Sequence, residues 1–455
     1  MMPRLCLLLV LLPLVAAAEP VNLYISPSGS DTHSGTSQDS PFQTFEKVLA
    51  AVAAISRPWS SDVVVHVMAG DYFLKSTINL TAKHSGQGKH KLVLRNHGKL
   101  ASAVLIGGQK LDPNQWNKGE NGILYQDLPA VKRIDIIYQD RRKARKARFP
   151  NYEFLKGFPI TDGKYFVSGT VSKSEPWLTA QGKDFSKEQL TALGEDIKKK
   201  TDAYLVVWGH GTCDWHKWIY PITHTIPESG RIYVSEKKPT FHQGGKNKGC
   251  RYYLEGGLRF LDTPGEFYFD RSQRRLHYMP VNDGGEVIYS TMNNILKLKG
   301  ARNIRIDGLQ FACSGVLPHT DSSYTWNDPD AAVAVHDSQS IEILNCHFKS
   351  SGQSAINFES THHSKIENSL MQYLGQSGIK LYESDHNTIR NCLIHDIGLR
   401  RVYCEGLALH SSKNNQVSHL EIHNSARYGG TLRGKVHESG NDRRPTRDNT
   451  LKYIR

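Results

Sequence analysis

Glu359, Glu383, Glu405 and Asp396 are the residues best suited to acid–base chemistry, because they fall in one segment that also supplies His336, His410, Lys380, Asn357 and Tyr382. Two carboxyl groups held about 5–5.5 Å or about 6.5–9.5 Å apart are what cleavage of an acetal needs. One protonates the leaving oxygen, and the other attacks or activates water. Imidazole, amide and ammonium groups bind hydroxyls, and Tyr382 offers a ring for stacking. The same set permits an alternative, β-elimination next to a carboxylate, for which Lys380 is a base or a neutralising cation. Ca2+ would enter only with that alternative, and no compact Asp cluster supplies the several oxygens it takes. No other cofactor or metal is expected, since no Cys spacing is of the zinc type.

The elements that must position these side chains follow from a repeat. Residues Gly352 to Leu374 align without a gap on Gly375 to Ile397, a spacing of 23, and both copies begin Gly-Gln-Ser. Val333 and Val335, Ile356 and Phe358, and Ile379 and Leu381 keep that offset, each pair with one residue between, which is strand alternation. Ile343, Ile366 and Ile389 mark a second strand, followed by Asn345, Asn368 and Asn391, and Phe348, Met371 and Ile394 a third. A period of this size signals a solenoid, and Gly and Asn turns argue against a helical one. The fold class is therefore all-β, a right-handed parallel β-helix.

Breaks in the period say where a site could form. Leu296 and Leu298 precede Val333 and Val335 by 37 residues, so 14 extra residues fall around Val316 to Pro329. Leu407 and Leu409 follow at offset 28, so five fall around Leu399 to Cys404, and a further excursion spans Lys435 to Thr446. Loops beside one strand wall a groove over it. In that groove the expected solvent-facing columns read Ala334, Asn357, Lys380, Ala408, then His336, Glu359, Tyr382, His410. Glu383 stands at a strand end and Glu405 at the lip. Asn449 to Arg455 begin another second strand and stop, so further rungs are expected beyond them.

Arg4, an apolar run from Leu5 to Val15 and Ala16 to Ala18 form a signal peptide over 1–18, so a secreted, extracellular protein is expected. No other segment has the length of a membrane span. The net charge of +13, or +12 without Arg4, favours an acidic polymer as partner. Arg141 to Arg148 is the densest basic run, but it carries no nucleic-acid motif. Six cysteines remain after the leader. Cys213 and Cys250 are the expected disulfide, both lying in the irregular middle of the chain. Cys346 and Cys392 sit two rungs apart, about 9.6 Å, beyond the roughly 7 Å reach of a bridge. Asn79 opens the one N-glycosylation sequon.

Residues 19–147 read as an N-terminal cap, with a capping helix over Phe45 to Ile55, and the first coils. Residues 148–280 read as an irregular, aromatic-rich β inserted module, and 281–455 as the β-helix rungs. In the module, Trp208, Trp215, Trp218 and Tyr220 serve either as a sugar platform or as core. Tyr24 to Asp31 with Pro41-Phe42 resembles the start of many pectate-lyase-like, carbohydrate-active β-helix proteins. Ala147 to Asn151, Trp208 to Ile222, Phe260 to Asp270 and Leu276 to Pro280 resemble proteins of glycoside hydrolase family 141, except that Phe267 stands where Trp is common. The resemblance implies a secreted polysaccharide-active protein, and it carries no catalytic residue of that family over to a position here. Three readings stay open: a glycosidase using groove carboxylates, a polysaccharide lyase acting on a uronate-containing glycan, and a non-catalytic glycan-binding or matrix protein. The partner in each is a glycan and the protein a monomer.

Overall fold

The structure, a computed structural model, describes residues 18–153, 163–172, 174–182, 184–208, 217–235, 249–315, 330–436 and 443–455. The leader apart from its last residue, Cys213, Trp215 and the first insertion at 316–329 lie outside them. The alternating segments form one parallel sheet of seven strands. It runs from Ile78–Thr81 through Leu296–Lys299, Ala331–His336, Ser354–Glu359, Ile379–Tyr382 and Glu405–His410 to Tyr428–Arg433. We call this the groove sheet. Its register is that of the sequence period, with Val333 opposite Ile356, Ile356 opposite Ile379, and Ile379 opposite Leu407. Leu296 lies opposite Val333, so the insertions loop out between rungs and leave the stack in phase.

The other faces of the coil form a single parallel sheet of 14 strands, because Thr388–Ile397 runs unbroken around a corner and pairs with strands on both faces. Ile306, Ile343, Ile366, Ile389 and Val417 stack in one column, and Phe311, Phe348, Met371, Ile394 and Ile422 in another. Together with the groove-sheet pairs, these side chains form one core down the coil. Each fully buried aliphatic side chain contributes about 1.5–3 kcal/mol. The corners need left-handed backbone, which Asn adopts more readily than most residues. Asn345, Asn368 and Asn391 have φ of 55°, 54° and 52°. Asn391 Nδ2 donates to Asn368 Oδ1 at 2.9 Å, and Asn368 Nδ2 to Asn345 Oδ1 at 3.2 Å. A second amide ladder is buried: Asn387 Oδ1 accepts from Ser364 N, Asn415 Oδ1 from Asn387 N, and Asn449 Oδ1 from Asn415 N.

A helix over Phe45–Ala54 closes the first rung, burying Phe45, Val48, Leu49 and Val52. Its N-cap, Thr44, accepts from Lys47 N at 3.2 Å and donates its hydroxyl to Asp31 at 2.7 Å. The irregular section is spliced between adjacent rungs. Ala103–Ile106 stacks directly on Gln310–Ala312, and the intervening chain leaves and returns through Gly108 and Ser290, which pair with each other. Inside it, Glu266–Asp270 and Arg275–Met279 form an antiparallel hairpin. A seven-stranded antiparallel sheet and the helix Lys187–Lys198 enclose a second core. Trp208 and Tyr220 are buried, which excludes both as an open sugar platform.

All five cysteines among the described residues are buried and free. Cys346 and Cys392 are unbridged, as the rung spacing requires. The expected Cys213 to Cys250 pairing involves Cys213, which lies outside the described residues; burial pushes the Cys250 thiol up to about 11.

Candidate functional site in the groove

The register lines up three columns that carry polar residues on the groove sheet. Ser354, Ser377 and Glu405 occupy the first. Serine hydroxyls link them, since Ser354 Oγ accepts from Ser377 N at 3.3 Å and Ser377 Oγ accepts from Glu405 N at 3.1 Å. The second holds Ala334, Asn357, Lys380 and Ala408, and the third His336, Glu359, Tyr382 and His410.

The second column departs from expectation. Ala334, Asn357, Lys380 and Ala408 are exposed by only 0, 3, 6 and 1%, so the groove floor is covered and does not face open solvent. Alternation fixes which side of a strand a residue takes. It does not show what chain lies over that side.

Glu405 is the carboxylate set apart by its surroundings. It opens the strand Glu405–His410 and is 4% exposed. Its Oε2 accepts from Ser377 Oγ at 3.1 Å, whereas Oε1 is buried with no hydrogen-bond partner. Burial pushes its carboxyl above the ordinary range, against the pull of Lys380, the Ser377 hydroxyl, Arg433 and Arg427. A carboxyl that holds its proton more tightly, with a free oxygen, is poised to donate. His410, further along the same strand, is pushed down to about 4 by burial and then by Lys380 and Arg433, so its imidazole is neutral. Its Nε2 stands 3.2 Å from Thr431 Oγ1. Arg427 lies over the rings of Tyr403 and Tyr428, at 4.1 and 4.4 Å. Arg427 and Arg433 follow Cys404 and His410 by one rung, so the register already placed them. Sequence reading missed them, together with Ser377 and Tyr403, because it looked for carboxylates.

The other candidates do not converge on Glu405. His336 Nδ1 stands 3.0 Å from Glu359 Oε2 on adjacent rungs, with His336 Nε2 buried and unpartnered. Glu383 takes the left-handed corner position, φ 49°, one residue past Tyr382, which itself faces Glu359. Glu359 lies five residues along the strand and two rungs from the Glu405 column, about 19 Å between Cα atoms. Glu383 is about as far. Side chains on a parallel sheet do not close that gap, so neither completes a 5–9.5 Å pair with Glu405. Asp396 is corrected outright as a groove residue. It sits in the 14-stranded sheet at a left-handed corner, held by His395 Nδ1 at 2.6 Å and Asn424 Nδ2 at 3.1 Å. Among the described residues no His, Cys, Asp and Glu group could hold a metal ion.

Comparison with known proteins fits this architecture. A family model described as a right handed beta helix region matches residues 285–441. A solved structure described as a glycoside hydrolase superposes with a TM-score of 0.70 at 18% identity, covering 88% of this chain and 77% of that one. XylC, solved in complex with xylose, superposes with a TM-score of 0.50 at 13% identity, covering 95% of this chain and 63% of that one. No curated protein matches the sequence. The fold is thus a right-handed parallel β-helix with a long insertion between two of its rungs.

Proposed function

We propose that the chain is a secreted, polysaccharide-active enzyme, a glycoside hydrolase in which Glu405 protonates the leaving glycosidic oxygen. The observation that carries this reading is the buried Glu405 carboxyl, tied down through Oε2 by Ser377 and free at Oε1. Lys380 near it would hold sugar hydroxyls, while neutral His410 at the far end of the same strand, with His336, Glu359, Asn357 and Tyr382, would contact the glycan further along the floor. The fold likeness to a glycoside hydrolase and the resemblance to family 141 support the substrate class without assigning it. Secretion is supported by the apolar leader, and N-glycosylation by the exposure of Asn79, whose sequon lies on the first groove strand.

A second reading rests on its own observation. Lys380, Arg427 and Arg433 surround Glu405, and such a cationic setting suits β-elimination from a uronate, with the cations neutralising its carboxylate. One assay separates the two. Hydrolysis releases reducing ends with saturated products, and elimination leaves an unsaturated product. Under the hydrolase reading Glu405→Gln lowers turnover roughly 10²–10⁴-fold with the fold intact by circular dichroism. Glycan binding without turnover in the wild type, unchanged in Glu405→Gln, would replace both readings with a binding protein.

A further inference from the structure

The basic run Arg141 to Arg148 plays no part in the groove, yet the fold goes to some length to place it. Three two-residue strands thread it between three sheets: Lys143 pairs with Tyr138, Lys146 with Phe267 and Phe149 with Leu254. Ala144 and Ala147, the run's two small residues, are buried in separate cores. The basic side chains between them line a cavity of about 370 Å³ between the inserted module and the β-helix. That volume suits a single small ligand.

The cavity is strongly cationic. Five of its side chains come from the run, joined by Lys217 of the module and Arg400 from the second insertion, against three carboxylates. Two of those carboxylates, Asp135 and Asp396, are already engaged. Asp135 pairs with Arg133 and Lys146, at 2.6 and 3.4 Å, and Glu255 stands 4.0 Å from Lys146. Asp396 is held by His395 and Asn424. Lys143 Nζ donates to the Leu399 carbonyl at 2.9 Å, which anchors the second insertion to the cavity wall. Arg148 and Lys217 are buried, Lys143, Lys146 and Arg400 half-buried, and Arg142 and Arg145 exposed; gathering like charges partly out of water is costly unless a counter-charge joins them. The local field shows in Lys143, which burial, then Arg400 and Lys217, push down to about 7, with Glu255 opposing and Arg145 adding to it. Tyr152, Tyr253 and Tyr373 stand in the same wall, with Arg145 over the Tyr152 ring at 3.8 Å and Arg148 over the Tyr253 ring at 3.7 Å.

We propose that this cavity binds an acidic saccharide, a sugar ring bearing a carboxylate or a sulfate ester, at a site separate from the groove. The cations fix the anionic group and the tyrosines the ring. Only the choice of a saccharide over another organic anion rests on the glycan-active reading. An acidic side group seated here would select which polymers the protein engages, and the second insertion, which carries Arg400 and runs into the strand that Glu405 opens, connects the two places.

Calorimetric titration of the full chain with glucuronic acid, glucose 6-sulfate, inorganic sulfate and glucose tests this. The acidic sugars are expected to bind and to weaken with added salt, and glucose is not. Whichever acid binds more tightly identifies the anionic group. Lys143→Met and Arg400→Met should each weaken binding about tenfold, as loss of one charge-assisted contact does. Glu405→Gln should leave it unchanged, so failure of the groove assignment and failure of this one are told apart. In the unmodified protein the acidic sugar should slow acylation of Lys143, read by peptide mass, so the test does not hang on whether a variant folds. Equal binding of glucose, inorganic sulfate binding as tightly as glucose 6-sulfate, absence of acid binding, or no protection of Lys143 would each overturn the proposal.

Discussion

At the scale of single residues, burial decides which ionisable groups are set apart. Glu405 and His410 lie on one strand and are driven in opposite directions along the pH scale by the same cause, because desolvation disfavours the charged form of each. His84 resembles His410. Its Nδ1 accepts from Thr81 N at 3.1 Å, so the ring must be neutral there, and burial pushes it down to about 4. A depressed histidine stabilises the fold fully above the unfolded value near 6.5, and that contribution is lost as pH falls toward 4. We expect urea unfolding midpoints to drop across pH 6.5 to 4, and His410→Gln to flatten part of that drop. A midpoint independent of pH in that window would contradict buried neutral imidazoles. The candidates were legible as residue types in the sequence, but their states were not. Nothing local to Glu405 distinguishes it from Glu359, which is half-exposed and paired with His336.

At the scale of elements, the rung is the unit, and its corners carry two kinds of asparagine. Asn387 sits inside the coil, accepting from Ser364 N at 2.9 Å and donating to the Thr361 carbonyl at 3.0 Å. Replacing it with Ala strands two buried backbone groups, at about 1–3 kcal/mol for each. Asn368 is exposed and left-handed, so Asn368→Ala costs only about 1 kcal/mol, and Asn368→Gly less. Denaturant titration of the three variants should give that order. The strands were readable because Val, Ile, Leu and Phe recur at offset 23 with one residue between, a pattern the pleat enforces. The exposure of the groove floor was not. The alternation that places Lys380 outward says nothing about cover from chain far away in the sequence.

At the scale of the whole molecule, one continuous core joins the cap helix to the last complete rungs, and Cys346, Cys392 and Cys404 lie within it. Burial pushes their thiols up to about 12, 11 and 11, so each is both shielded and protonated. A thiol reagent should therefore leave these three unlabelled in the native protein and label them together on unfolding, as a two-state core requires. A Cys346 to Cys392 bridge in a peptide map would contradict the register itself. The inserted module adds a second core and, at its junction with the coil, the cationic cavity.

The sequence by itself determined the repeat, the direction of each strand's inward face, the corner asparagines, the cap helix and the rungs between which chain loops out. Those features depend on residues 2, 23 or a few tens of positions apart, all within reach of a pattern along the chain. Only the tertiary structure decided that Glu405 is buried and held by Ser377, that Glu359 and Glu383 lie too far along the sheet to serve it, and that Asp396 faces a different place. It also placed the basic run, to which the sequence assigned no role, in the lining of a cavity. The physical reason is the same throughout: desolvation and charge fields depend on what lies opposite a side chain, and here that is chain 28 to more than 200 residues away.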